Sequence, residues 1–172
     1  MQQYPESLKT KIRRLPYLIS MGMEGACKSG LAGNASKRHA MVESFVEGRR
    51  SYPGNQVIRS IIKEVDNDHE HLLEIAHQHD EILDCLDDQG VDDYDGLKEH
   101  MFRVLSEVIE ALVSHESPQT VREYKDWLLL IAEKVALASK EGDFFGIGGE
   151  RFSKKERVFF KALKNHLYPE SN

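Results

Sequence analysis

Apolar residues recur along this chain at three- and four-residue spacing, and no stretch alternates with the period of two that a half-buried strand requires. Ser7 fits as the cap of a short first helix, predicted to stop at Leu15-Pro16, because proline lacks an N–H and disfavours helix in the residue before it. Pro16 then opens a second segment, Tyr17 to about Gly30, apolar at Leu18, Ile19 and Met21. Its glycines, Gly22 and Gly25 among them, mark either close helix packing or a frayed end. Ser36 is the expected N-cap of a helix through Glu47, with Met41, Val42, Phe45 and Val46 inward and Gly48 as its stop.

Ser51 to Asn55 is a turn by composition. Beyond it Ile58, Ile62, Val65, Leu72, Ala76, Leu83 and Leu86 keep helical spacing up to the acidic turn Asp87-Asp88-Gln89-Gly90. Asp66-Asn67-Asp68 is expected to break that line in two, since each residue suits a cap better than a helix interior. A helix over Leu97–Ser114 follows, aligned on Met101, Val104, Val108 and Leu112. Ser117-Pro118, an N-cap with proline at the first helical position, opens the most apolar helix, about 118–141. Val121, Tyr124, Leu128, Ile131, Val135 and Ala138 line one side, and Trp127, Leu129, Leu130 and Leu137 widen it almost all round, as in the buried centre of a bundle. After a glycine-rich loop, Ser153-Lys154-Lys155-Glu156 reads as a capping box for a last helix that packs Val158, Phe159, Ala162, Leu163 and Leu167 before Pro169. The pattern predicts an all-α, single-domain bundle of six or seven helices spanning 1–172.

Composition narrows the function classes. With 29 acidic against 23 basic residues the net charge is −6, which disfavours a nucleic-acid binder that must displace counterions. The basic clusters at Lys9–Arg14, Arg49-Arg50 and Lys154–Arg157 are short and read as solvated helix faces. No run reaches the roughly eighteen apolar residues of a membrane span. Cys27 and Cys85 lack metal or disulfide spacing, so the expected compartment is the reducing cytoplasm.

The candidate chemistry centres on DNDHEHLLEIAHQHDE, residues 66–81, which holds four of the eight histidines. At about 100° per residue, Glu70, Glu74, His77 and Glu81 share an acidic stripe, whereas His79 points into the apolar arc between Ile75 and Ile82. Glu74-Ile75-Ala76-His77 has the Glu-x-x-His spacing of di-iron bundles, but such sites need the motif twice with two further glutamates. A divalent ion on Glu70, Glu74 and His77 is chemically sound, since carboxylate and imidazole converge there; a solvated face is the plainer reading. His79 is either a buried neutral histidine bonded to a neighbour or a ligand or proton-handling group in a pocket, with His115 or Tyr124 as its most plausible company. The acidic run before Gly96 fits no frame of a calcium loop, and the glycines of 142–149 fit no phosphate-binding motif. Phe144, Phe145, Ile147 and Phe152 instead suit a loop folded back on the bundle, at the edge of any binding site.

Tyr124-Lys125, Trp127-Leu128-Leu129, Lys140-Glu141-Gly142, Phe145-Gly146, Gly148-Gly149, Ser153 and Glu156 resemble the C-terminal signature of a group of small uncharacterised bacterial helical proteins, over roughly the last quarter of the chain. Ala138 to Glu156 is more distantly similar to the tellurite-resistance TerB-like helical domains, although Glu141-Gly142 and a longer loop stand where that family has its Asp-Gly turn. Two classes of function follow. One is a non-catalytic bundle that binds a partner protein or small molecule, with His79, His115, Tyr124, Phe144 and Phe145 as candidate pocket residues and no cofactor. The other is a metal-binding bundle, in a TerB-like stress response or as a metalloenzyme, that uses Glu70, Glu74 and His77.

Overall fold

The computed structural model describes residues 3–26, 35–62, 68–138 and 152–169, with the backbone alone described at 35 and 68–72. Those residues form seven helices and no strand: α1 (Glu6–Ala26), α2 (Ala35–Ser51), α3 (Gln56–Ile61), α4 (Asp68–Asp88), α5 (Tyr94–His115), α6 (Pro118–Ala138) and α7 (Lys154–Leu167). The architecture is an all-α bundle. Helix α6 touches α1, α2, α3, α5 and α7, and its Tyr124, Trp127, Leu128, Ile131 and Val135 are fully buried. Among the described residues no helix is long and apolar enough to cross a membrane.

Two helix stops expected from the sequence are overridden, each by a side chain of α6. Helix α1 runs through Pro16 instead of ending before it. Proline leaves the Ile12 carbonyl without its usual N–H four residues on, and Tyr124 Oη donates to that carbonyl at 3.0 Å within the core. Helix α2 likewise continues past Gly48 to Ser51. A Cβ at Gly48 would lie 2.1 Å from Trp127 Nε1, so glycine there permits close approach rather than chain reversal. Trp127 Nε1 donates to Ser44 O at 3.0 Å, which seats the indole against that turn of α2. Phe45 and Tyr124 meet the indole edge-on at centroid distances of 5.4 and 5.9 Å, geometries that favour aromatic pairs.

Gly22 resolves the other alternative in favour of packing, because its missing Cβ would sit 2.7 Å from Phe159 Cζ on α7. The apolar line expected to break at Asp66-Asn67-Asp68 breaks at Ile62, which is extended after α3; Asp68 lies in α4, and Asp66 and Asn67 fall outside the described residues. Helix α5 starts earlier than expected, at Tyr94, because Asp93 Oδ1 accepts from Gly96 N at 2.7 Å and acts as its N-cap. The capping box of α7 forms as expected, Glu156 N donating to Ser153 Oγ at 3.2 Å and Ser153 N to Glu156 Oε2 at 2.7 Å. Val158, expected inward, is 64% exposed, because the buried stripe of α7 is Glu156, Phe159, Leu163 and Leu167. Phe152 stacks on Phe160 at 5.5 Å, while Phe144, Phe145 and Ile147 lie outside the described residues.

The short helix α3 is tied to α6 by one side chain. Asn55 Oδ1 accepts from Val57 N and Ile58 N, both at 3.1 Å, and its Nδ2 donates to Thr120 O and Glu123 Oε2, both at 3.0 Å.

Candidate functional site

The residues singled out in the sequence do not share one contact set. His115 is exposed at the end of α5, where its Nδ1 bonds Ala111 O at 2.9 Å and its ring meets Tyr4 at 5.4 Å. Tyr124 serves the Ile12 carbonyl, and Phe144 and Phe145 fall outside the described residues. His77 is exposed and faces Glu81 Oε1 at 3.3 Å, whereas Glu74 turns toward α1; of the third stripe residue, Glu70, only the backbone is described. Among the described residues no three His, Cys, Asp or Glu side chains are grouped to hold a metal.

His79 is fully buried, as its place in the apolar arc implied. Its Nδ1 lies 3.4 Å from Asp80 Oδ1, and its Nε2 is buried without a hydrogen-bond partner among the described residues. Burial holds this imidazole below its ordinary pKa; Asp80 opposes that shift and Arg38 adds to it. Arg38 Nη2 is 3.6 Å from Asp80 Oδ1 and also acts on Glu24, a fully buried carboxyl near the end of α1. Burial pushes Glu24 above the carboxylate range, against the Ser20 hydroxyl that donates to its Oε1 at 3.1 Å and the charges of Lys37 and Arg38. Glu24 Oε2, like His79 Nε2, has no hydrogen-bond partner among the described residues. A carboxyl and an imidazole buried with a polar atom unpartnered among the described residues are a cost to the fold that a helix pattern does not require.

The concave features differ in how their charges are satisfied. A groove of about 410 Å³ between α2 and α6 is lined by His39, Val42, Glu43, Val46, Glu47 and Lys134, with Arg50. His39 pairs there with Glu43 at 3.2 Å, and Lys134 pairs with Glu47. Its charges answer one another across an open surface.

A cavity of about 290 Å³ bounded by α1 to α4 is different. Tyr17, Phe45, Ile61, Ile62 and Ile75 supply its apolar wall, and Arg13, Arg14, Ser60, Glu74 and Gln78 its polar one. Arg14 donates from Nη1 to Cys85 Sγ at 3.2 Å, a weak acceptor, and contacts no carboxylate among the described residues. Tyr17 is 6% exposed, yet its hydroxyl makes no hydrogen bond among the described residues. Burial raises that phenol's pKa, and the nearby Glu74 charge raises it further, so it is a neutral donor at physiological pH. Apolar walls with a few convergent polar groups, one of them an unengaged donor, are what a small-molecule site offers.

The cavity residues of α1 were not legible in the sequence as a site. Arg13 and Arg14 belong to a cluster that reads as solvated surface, because the wall facing them comes from α3 and α4, far along the chain. Glu24, an acid in an otherwise apolar stretch four residues after Ser20, is the one local signal of the buried carboxyl. Set against family models, curated proteins and solved structures, the chain matches none.

Proposed function

We propose that this bundle is a non-catalytic binding protein whose ligand is a small amphipathic molecule with an anionic end, held in the cavity between α1 and α4. Tyr17 carries the reading. It is a buried phenol at the wall of an apolar cavity, beside two guanidinium groups, with no hydrogen bond among the described residues. An apolar ligand body would displace water from Phe45, Ile61, Ile62 and Ile75, and its carboxylate or similar group would take donors from Tyr17, Arg13 and Arg14. Glu74, on the polar wall, disfavours a second negative charge and would reward a ligand hydroxyl or amine. The same reading treats the protein as cytoplasmic, which two cysteines without disulfide spacing support.

Calorimetric titration with octanoate and with octylamine tests the assignment. Saturable octanoate binding is expected, weakened about 10–150-fold by Tyr17→Phe, the equivalent of one hydrogen bond to a charged group, and abolished by Ile75→Arg. Binding of neither probe, or octanoate affinity indifferent to both substitutions, would overturn it.

A further inference from the structure

A second cleft, which shares Arg14 with the amphipathic cavity, is bounded by α1, α5 and the turn after α4 and encloses about 340 Å³. Its polar members include Thr10, Lys11, Arg14, Gln89, His100 and Arg103, and its apolar ones are Leu18 and Val104. Among the described residues no carboxylate borders it. The acid close by, Glu107, is engaged by the Lys11 ammonium.

The guanidinium groups of Arg14 and Arg103 come from different helices and reach no carboxylate among the described residues. Arg14 Nη1 donates to the Cys85 thiol at 3.2 Å, and Arg103 Nη2 donates to His100 Nδ1 at 3.0 Å. A thiol sulfur and an imidazole nitrogen are neutral acceptors that leave most of each cation's five N–H donors unengaged. In a chain of net charge −6, the two cations converge on one cleft whose described lining carries no acid to answer them. His100 completes the set. Accepting at Nδ1 selects its neutral tautomer with the proton on Nε2, so the ring offers a further donor. Burial holds this imidazole below its ordinary value, and the charges of Arg103, Lys11 and Arg14 push the same way while Glu107 opposes them.

We propose that the cleft between α1 and α5 is a binding site for a compact phosphate-class oxyanion, held by Arg14 and Arg103 with His100 and Lys11 as supporting donors. Guanidinium forks match the spacing of phosphate oxygens and bind them in pairs, which a diffuse basic surface does not. The site is separate from the amphipathic cavity. Arg14 borders both, so the test uses Arg103 and His100, which border this cleft alone.

Titration of the full chain with sodium pyrophosphate, at ionic strength held constant with sodium chloride, is expected to show a saturable site. Arg103→Gln should lower its affinity at least tenfold and His100→Ala several-fold. The melting temperature without ligand checks that each variant folds, and Arg103→Lys, which keeps the charge but loses the fork, serves if the glutamine variant does not. Flotation with phosphatidylcholine vesicles containing phosphatidic acid separates the two sources of the same chemistry. Capture that depends on Arg103, without pyrophosphate binding, assigns the site to a lipid headgroup; pyrophosphate binding without capture assigns it to a free phosphate compound. Neither signal, or signals that Arg103→Gln and His100→Ala leave intact in a folded protein, overturns the proposal.

Discussion

Tyr17 and Tyr124 are both buried phenols, but Tyr124 donates to the Ile12 carbonyl of α1 while Tyr17, five residues along that same helix, donates to nothing among the described residues. Similar side chains therefore have opposite consequences when truncated. Tyr124→Phe strands a buried carbonyl that Pro16 has already deprived of its helical partner, a loss of about 1–3 kcal/mol. Tyr17→Phe removes a hydroxyl that bonds no described residue and should stay within about 0.5 kcal/mol of the parent. Urea denaturation of both variants decides the matter, and equal shifts of the two midpoints would refute the distinction. Pro16→Ala restores an N–H to Ile12 O, so in that background Tyr124→Phe should cost less, with a coupling of about 0.5 kcal/mol or more in a double-mutant cycle.

The contact of Gly48 with Trp127 reverses the usual effect of glycine in a helix. At an exposed interior position Gly→Ala would stabilise by about 1 kcal/mol through backbone entropy. At Gly48 the new methyl group meets the indole at 2.1 Å, so the ring or the α2–α6 spacing must give. Overpacking of this kind costs about 1–3 kcal/mol and outweighs the entropic gain. Gly48→Ala should lower the urea midpoint and shift the emission of Trp127, the one tryptophan, to longer wavelength. A midpoint at or above that of the parent would show that the helices slide apart freely.

The two buried titratable groups near Arg38 give stability opposite slopes with pH. His79 has a depressed folded pKa, so the unfolded chain binds its proton first. Its contribution is complete above the unfolded value of about 6.5 and declines as pH falls below it. Glu24 has a raised folded pKa, so its contribution is complete below the unfolded value of about 4.3 and declines as pH rises through the folded one. His79→Gln should therefore flatten the loss of melting temperature between about pH 7 and 5. Glu24→Gln, which keeps an acceptor for Ser20, should gain on the parent steadily toward alkaline pH. Melting curves parallel to the parent's in both variants would show that neither group titrates differently on folding.

Local periodicity made most of the fold legible, since each helix carries its own apolar line and several carry their own caps. Pro16 and Gly48 misled because what answers them, the Tyr124 hydroxyl and the Trp127 ring, comes from α6 far along the chain. The burial of His79 followed from its place on α4, but the approach of Arg38 from α2 to the neighbouring Asp80 did not, because residues that meet across helices leave no spacing to read. His115 continues the apolar line of α5 by count, yet that line is buried only as far as Leu112. Arg14 and Arg103 read as ordinary surface charge. What sets them apart is that they meet, from α1 and α5, at one cleft whose described lining holds no carboxylate, a property of the assembled bundle.

Asn55 carries a consequence for the order of folding. A helix of six residues cannot persist alone in water, because nucleating it fixes several dihedrals before any hydrogen bond compensates. Asn55 supplies its first two acceptor contacts while donating to Thr120 and Glu123, so α3 becomes worth forming only once α6 is in place. The segment is thus a late-arriving, early-departing unit, the kind that native-state amide exchange reveals as a separate opening event. Ser60, Ile61 and Ile62 at its end also bound the amphipathic cavity. A guest there would be felt as slower amide exchange at Ile61 and Ile62, and Asn55→Ala would raise the dissociation rate of a molecule that Asn55 itself never touches.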